Sequence, residues 1–595
     1  MILSLISIAI VLGLGYIWMT RGFFSAFLNL LCVIVGGAVA FALFEPLGYL
    51  ILEKAPKTGF LAPVGSSAWA IGLGAPFAVT VALLRVGVDK VCGKNIGVKT
   101  PVNYAGGAVC GALAGVITAG ITVMSIGFLR LDADFMGYQP VQHGGDSSLM
   151  RTSSLILPVD KITAKLYGMA SETALSTDTP MTKYYPGFAE VPPTLRMNQG
   201  GGSGKNSILP ADFKVNGWYT VGTDKTPLTA LLSDSWTSKT QPVTDLNGSS
   251  FPTTSKLYGY VIEFTSGAKE KNGQVVLRAA QVRLVSESAD ESEHITAHPI
   301  AVVTRAQVAK INYARFRYDT RDLDIASVNG DSAPKMALEF VVPNGFRPFA
   351  LYVKNVRYEI AAGTKPPVEY LETAARDAGI KDGTLLRTTV DPEDRGGGLG
   401  SGSTVATGRD QEDNSVQLQN RIPNGRVIQD GSQRGLGVSI PYVTEGKATY
   451  APSELDARSI PKELKIDRFE GTKDTVIVQI DVSINGKSSI LGKAAEAAEF
   501  TAAPYLVADD GQRFEAVGYW YEDREKIKVR YTVGEPIRAM QELVNDGVAL
   551  SKSLADQKLT LIFRPPLDTT IVSFSIGTHE INKFAKPIKL DRIQK

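Results

Sequence analysis

The sequence predicts a multi-domain membrane protein, a four-helix α-helical transmembrane domain followed by two all-β immunoglobulin-like sandwich domains. Three observations carry this. Residues 1–130 are almost uniformly apolar, the chain beyond about residue 212 turns to period-two alternation, and that alternating part repeats itself. At 595 residues the chain exceeds one ordinary domain. Composition shifts place the boundaries at 1–130 for the helices, 131–211 for an amphipathic helix and linker stalk, and 212–362 for the first β domain. A Gly/Ser/Asp-rich connector follows at 363–462, and the second β domain spans 463–592.

Four apolar segments, roughly 2–19, 23–45, 67–88 and 104–128, are each long enough to cross a hydrocarbon core of about 30 Å as a helix. The first is not a cleaved leader: MILSLISIAI has no basic start, no small-residue cleavage site follows, and three more spans come after it. Basic residues orient the bundle. Arg21 marks the first loop and Arg85, Lys90, Lys94 and Lys99, partly offset by Asp89, the third, against Lys54 and Lys57 offset by Glu53 in the second. Loops one and three are therefore cytoplasmic, and both termini are extracytoplasmic. Gly107, Gly111 and Gly115 form a small-residue ladder on the fourth helix. Such a face allows close backbone approach within the bundle or between subunits of a homo-oligomer. Charges avoid the span centres: Glu45, before Pro46, lies near one helix end and Arg85 near another.

Arg21-Gly22-Phe23-Phe24 opens the second span, and LLRVGVDKVCGKNIGVKTPVNYAGGAVCGALAG runs from Leu83 to Gly115. In these motifs and in topology, residues 1–130 resemble the colicin V production protein (CvpA) family. That family usually carries Asp-Arg before the fourth helix, where this chain has Val102-Asn103-Tyr104. It commonly has a basic residue before the last glycine, here Ala114. The resemblance implies an inner-membrane protein linked to envelope functions. In some relatives the same helices anchor an extracytoplasmic serine protease.

Beyond the spans, Val159 to Leu175 places Ile162, Leu166, Met169 and Ala170 at helical spacing, which predicts an amphipathic helix at the membrane surface. Pro186, Pro192, Pro193 and the glycines at 200–204 read as a flexible connector, and a second glycine run lies at 396–403. Alternating stretches such as SKLYGYVIEF, KMALEFVV, KIKVRYTV and KLTLIFRP read as half-buried strands. Leu338-x-Phe340-x-x-Pro343 with Leu351 and Val353 matches Leu561-x-Phe563-x-x-Pro566 with Phe574 and Ile576 at one constant offset. Glu359-Ile360 echoes Glu580-Ile581. Tyr318-Asp319-Thr320-Arg321-Asp322 parallels Tyr521-Glu522-Asp523-Arg524-Glu525 upstream. The second copy carries an insertion, Gly534 to Asp556, with a helical stretch around Ile537–Val544.

The catalytic and metal-like patterns of the sequence have simpler readings. His294 and His298 have helical ligand spacing but fall in a Ser/Glu-rich turn between strands, so they read as a surface loop. Asn329-Gly330-Asp331-Ser332 shares only its centre with a serine-protease signature, and His298 is too close upstream for a two-barrel fold. Ala508-Asp509-Asp510-Gly511 reads as a hairpin turn rather than a calcium loop. The glycine run near 396–402 has no preceding strand or following helix to cradle a nucleotide. Tyr519, Trp520 and Tyr521 are the candidate recognition surface. All three cysteines, Cys32, Cys92 and Cys110, lie in the apolar quarter. With 62 basic and 60 acidic residues and no basic cluster, nucleic-acid binding is not expected. The sequence thus leads to a non-enzymatic, cofactor-free protein of the bacterial inner membrane. Its β domains would meet an extracytoplasmic protein or envelope polymer, the alternatives being a channel subunit and an extracytoplasmic hydrolase.

Overall fold

The computed structural model describes the chain except residues 1, 57–60, 93–98, 144–147, 153–154, 178, 198–203, 224, 233–242, 271–272, 309–310, 319–324, 328–332, 361–367, 382, 388–414, 430–433, 456–457, 459, 473, 484–501, 510, 549–556, 578 and 591–595. The Asn329–Ser332 loop, the 396–402 glycine run, the glycines at 200–203, Asp510, and Lys57 and Lys94 of the loop charges lie outside the described residues.

Four helices are long and apolar enough to span a membrane: α1 (Ile2–Arg21), α2 (Phe23–Lys54), α3 (Ala68–Val91) and α4 (Thr100–Gly127). Helix α1 packs on α4, and α2 packs on both α3 and α4. Their outward surface is apolar, with Leu12, Val79, Leu83 and Val109 exposed, as suits a bundle solvated by lipid. Gly22 turns α1 into α2 with φ 92° and ψ 160°, a conformation that L side chains rarely adopt.

The segment after α4 does not stand off as a stalk. A fifth helix, α5 (Val159–Glu172), packs against α4, and the stretch Met181–Arg196 folds back onto the helix ends. Tyr185, Phe188, Val191 and Leu195 join Phe44, Trp69, Ile121 and Phe128 in one apolar cluster. Rings meet closely there, Phe44 with Phe128 at 5.2 Å and Phe41 with Phe188 at 5.2 Å between centroids.

The first β unit contains β1 (Phe213–Val221), β2 (Lys256–Phe264), β3 (Val282–Ser288), β4 (His294–Ala297), β5 (Ala301–Val308), β6 (Ile311–Arg317), β7 (Lys335–Val342), β8 (Phe346–Val353), β9 (Val356–Glu359) and β10 (Val368–Tyr370). One sheet has the order β10-β1-β2-β7-β5-β6 and the other β9-β8-β3-β4. Alternation drives one face of each sheet inward. Tyr260, Ile262, Leu338 and Phe340 from the first meet Leu284, Leu351 and Val353 from the second. The outer face of the smaller sheet supplies Val285, Ala350 and Tyr352 to the cluster at the helix ends, so this unit is seated on the bundle.

The second unit contains β11 (Val416–Leu418), β12 (Leu436–Ser439), β13 (Tyr442–Tyr450), β14 (Val478–Asp481), β15 (Pro504–Ala508), β16 (Arg513–Glu515), β17 (Gly518–Glu522), β18 (Ile527–Tyr531), β19 (Lys558–Phe563), β20 (Thr570–Ile576) and β21 (His579–Lys589). Its sheets run β11-β14-β19-β17-β18-β13-β12 and β16-β15-β20-β21, with Arg468–Phe469 parallel to β13. The cores of the two units coincide strand for strand. The path β2-β7-β5-β6 becomes β14-β19-β17-β18, and β9-β8-β3-β4 becomes β21-β20-β15-β16. The register agrees as well: Leu338 lies between Tyr260 and Val302 as Leu561 lies between Ile480 and Tyr519. Leu351 pairs Leu284 as Phe574 pairs Leu506. Each unit is therefore a two-layer β-sandwich. Its first two core strands lie in opposite layers, whereas an immunoglobulin domain keeps its A and B strands side by side.

Two expectations need correction. Tyr318 does not correspond to Tyr521. Tyr521 sits within β17 opposite Leu559, the register position of Thr304 opposite Met336, while Tyr318 follows β6. The described residues of the connector expected at 363–462 belong in large part to the two units. Strand β10 pairs in parallel with β1, and helix α6 (Thr373–Lys381) covers the outer face of the same sheet. Its Arg376 is fully buried, 3.8 Å from Glu339, which also holds Arg315 at 2.7 Å and accepts from Tyr219 at 2.9 Å. Burial alone would raise the Glu339 carboxyl, but the two guanidinium groups outweigh it and hold it below the usual carboxylate range. Strands β11 to β13 likewise complete the second unit.

Candidate functional site

Helix α2 runs to Lys54, and its last third carries Glu45, Pro46 and Tyr49. The hairpin of β8 and β9 brings Arg357 to that end. The Arg357 guanidinium lies 3.2 Å from the Glu45 carboxylate and 4.4 Å from the centre of the Tyr184 ring, and its backbone N–H donates to the Tyr49 hydroxyl at 3.1 Å. The Tyr185 hydroxyl donates to the other Glu45 oxygen. Arg283, on β3, stacks on Tyr352 at 3.7 Å and on Tyr185 at 4.6 Å, and donates to Asn355 at 3.2 Å. The Tyr352 hydroxyl in turn donates to the Tyr184 carbonyl at 2.8 Å. Burial, with the Glu45 charge beside it, pushes the Tyr185 phenol well above its ordinary range, so it serves only as a donor. One carboxylate, two guanidinium groups and four phenols thus tie a helix end, the Tyr184–Tyr185 turn and a sheet face together.

The second unit carries a polar cleft of about 430 Å³ between the β12–β13 hairpin and helix α7 (Gln541–Asn545). Lys447 lies 2.9 Å from Asp546, and Arg530 lies 2.8 Å from Glu542 and 3.6 Å from Asp546. Thr532, Glu535 and Asn545 complete the lining. The Tyr519 hydroxyl reaches Asp546 from below at 3.2 Å. Opposite charges and neutral donors alternate over this wall, a surface suited to a polar, hydrogen-bonding partner.

The sequence-derived sites fall as follows. Tyr519, Trp520 and Tyr521 are buried, at 2%, 0% and 0% exposure, so they offer no recognition surface. Strand β17 is central in a sheet covered on both sides. Tyr519 and Tyr521 enter the inter-sheet core, and Trp520 enters the layer formed with β13 and β18. Gly107, Gly111 and Gly115 face α1. A Cβ on Gly111 would stand 2.7 Å from the Trp18 Cβ and 2.8 Å from the Leu14 carbonyl oxygen, and one on Gly115 would stand 2.9 Å from the Val11 Cα. The ladder is thus filled within the chain. At the other end of the bundle, Arg21 stacks on Trp18 at 5.2 Å, and the Phe23 N–H donates to the Asn103 side chain at 2.7 Å. Asn103 thereby supplies the acceptor that the start of α2 requires. His294 opens β4 instead of lying in a loop, whereas His298 lies in the partly exposed turn between β4 and β5; its Nδ1 donates to the Val282 carbonyl at 2.7 Å, and desolvation of the ring pushes its pKa down to about 4. Among the described residues no group of three or more His, Cys, Asp or Glu is placed to hold a metal ion. The junction around Glu45 and Arg357 was missed because its members are scattered from α2 to β9; Glu45 before Pro46 was its one visible sign.

No family model matches the chain, and no curated protein matches it. Among solved structures, a vicilin from Corylus avellana (hazelnut) is similar over 53% of this chain and 75% of its own, at 10% identity and a TM-score of 0.06, which carries no argument.

Proposed function

We propose that this is a bacterial inner-membrane protein of the envelope, related to the colicin V production family through its helices, whose paired β units bind an extracytoplasmic protein or polymer. It acts as a non-enzymatic, membrane-held platform. The observation that carries this reading is the junction of Glu45 with Arg357 and Tyr185. A tail on a loose tether needs no such contact, whereas a platform that presents a surface at a fixed height above the bilayer does. The duplicated sandwich supports the same reading, since both copies keep one strand register and the second carries a cleft lined by Lys447, Arg530 and Asp546.

The test is a photo-crosslinking side chain at Asn545, which is exposed at the rim of the cleft, in the full chain expressed in cells. The expected result is a discrete adduct with an extracytoplasmic protein or glycan that is lost in the Lys447→Glu, Arg530→Glu double variant. No adduct, together with solute flux through the purified full chain in liposomes, would replace this reading with that of a channel.

A further inference from the structure

Helix α5 is oriented against the rule for a helix in water. It buries Val159, Asp160, Thr163, Ala164, Tyr167 and Gly168, and leaves Ile162, Leu166 and Met169 exposed at 44%, 38% and 50%. The exposed three recur at the spacing of one helical face and are its largest non-aromatic apolar residues, the smaller Val159 facing inward. Burying the small and polar side while showing the large aliphatic side is the arrangement of a helix packed in hydrocarbon, where close approach and hydrogen bonds, not water exclusion, hold helices together.

Its depth can be read from its two anchors. Thr163 and the Val159 carbonyl fill the notch at Gly120 of α4, where a Cβ would stand 2.2 and 2.5 Å from them. Tyr167 fills the notch at Gly37 of α2, and its hydroxyl donates to the Ile34 carbonyl at 3.0 Å. Thr163 donates to the Val116 carbonyl at 3.3 Å. Gly120 is seven residues inside the end of α4, and Gly37 is eight residues inside Glu45, which the contact of Phe44 with Phe128 at 5.2 Å places level with that end. At the α-helical rise these are depths of about 10 and 12 Å. The two notches agree, so α5 crosses the flank of α4 and α2 at nearly one level. Both hydroxyls on its inner side are spent on helix carbonyls, which leaves none of them facing hydrocarbon. Lys165, exposed beside Leu166, has the length to reach the headgroups.

We propose that α5 is embedded in the leaflet at the Glu45 end of the bundle, its Ile162, Leu166 and Met169 in contact with lipid acyl chains. The helix then acts as a float that sets the height of the following Tyr184–Tyr185 turn, and hence of the Glu45 junction, relative to the bilayer. This rests on the reading of α1 to α4 as membrane spans.

The experiment uses the full chain with its native cysteines replaced, reconstituted in phosphatidylethanolamine/phosphatidylglycerol bilayers. It carries a nitroxide at Leu166→Cys or Met169→Cys, and at Leu83→Cys on the exposed face of α3 as reference. Collision rates with oxygen and with a water-soluble nickel chelate are measured. The expected result is a several-fold excess of oxygen over nickel collisions at both α5 positions, as at Leu83. Nickel access at Leu166 with lipid-like behaviour at Leu83 overturns the placement of α5 alone, whereas nickel access at both removes the membrane reading beneath it. Shielding of Leu166 from both reagents means that a second copy or another protein covers the face, and also overturns the proposal.

Discussion

Glu45, at the end of the second spanning helix, and Arg357, on the last core strand of the first β unit, meet at 3.2 Å although most of the first β unit separates them in sequence. The two are about equally shielded, and Tyr185 and Tyr49 supply the remaining hydrogen bonds. A pair of this kind costs more to break than to lack, because the surviving charge keeps its desolvation without its partner.

Glu45→Gln or Arg357→Met should therefore loosen the β unit from the helices by about 1–3 kcal/mol. The double variant should cost less than the sum of the single ones. Hydrogen exchange over residues 346–359 and 181–188 in the detergent-solubilised chain reads this directly. Faster exchange confined to those segments is expected, and unchanged exchange would show the contact to be incidental.

Gly111→Ala should destabilise the bundle by about 1–3 kcal/mol, because its Cβ meets the backbone and Cβ of α1 rather than the flexible end of a side chain. Gly13→Ala is the matched control, since nothing lies within 4 Å of its added carbon. Thermal unfolding of the two variants in one detergent should separate them clearly.

His298 predicts an acid-side loss of stability. Its folded pKa is about 4, against an ordinary value of 6.5. Above the higher value the ring is neutral folded or unfolded. As pH falls through the interval the unfolded chain takes up a proton that the folded chain refuses, and stability drops, by about 3 kcal/mol from this residue. Denaturant unfolding of the full chain from pH 7 to pH 4 should show a shallower decline for His298→Gln than for the native protein. Parallel curves would mean that the ring titrates normally.

Trp520→Ala should cost about 3–5 kcal/mol through the cavity it leaves in the second unit. It should abolish that unit's cooperative unfolding while the first unit's transition persists. A variant that unfolds normally but loses a partner would restore the residue to a recognition surface.

The part of the fold that was legible in the sequence is the part governed by short-range pattern. Four apolar runs read as helices because each exceeds the bilayer's thickness, and the strands from Lys335 and Lys558 read as strands because their alternation is clean. The repeat was visible where both copies keep the same strand, from Leu338 and Leu561 onward. It was misaligned upstream because aromatic and charged residues around Tyr318 and Tyr521 look alike although one follows a strand and the other sits within one. Tyr519, Trp520 and Tyr521 misled because consecutive aromatics suggest one free face, whereas the centre of a sheet covered on both sides buries every residue. The stretch at 363–462 looked like a linker because glycine and serine outnumber the few residues, such as Arg376 and Val443, that enter a core. In α5 the apolar spacing of Ile162, Leu166 and Met169 was legible, whereas the side that packs on the bundle was not. Small and polar residues do the packing beside membrane spans, and periodicity alone does not distinguish that case from its inverse.

The central claim is that the spanning helices hold the β units against the outer face of the membrane, and thiol accessibility in intact cells tests it most directly. In this account Cys92, exposed at the end of α3, is the inner reporter, while Cys32 and Cys110 are buried. A Leu371→Cys substitution, at a residue 63% exposed on the first β unit, provides the outer one. A small thiol reagent that crosses the outer membrane but not the inner should label Leu371→Cys in intact cells and reach Cys92 only after lysis. The reverse order of labelling, Cys92 outside and Leu371→Cys shielded until the cells are broken, would contradict the account.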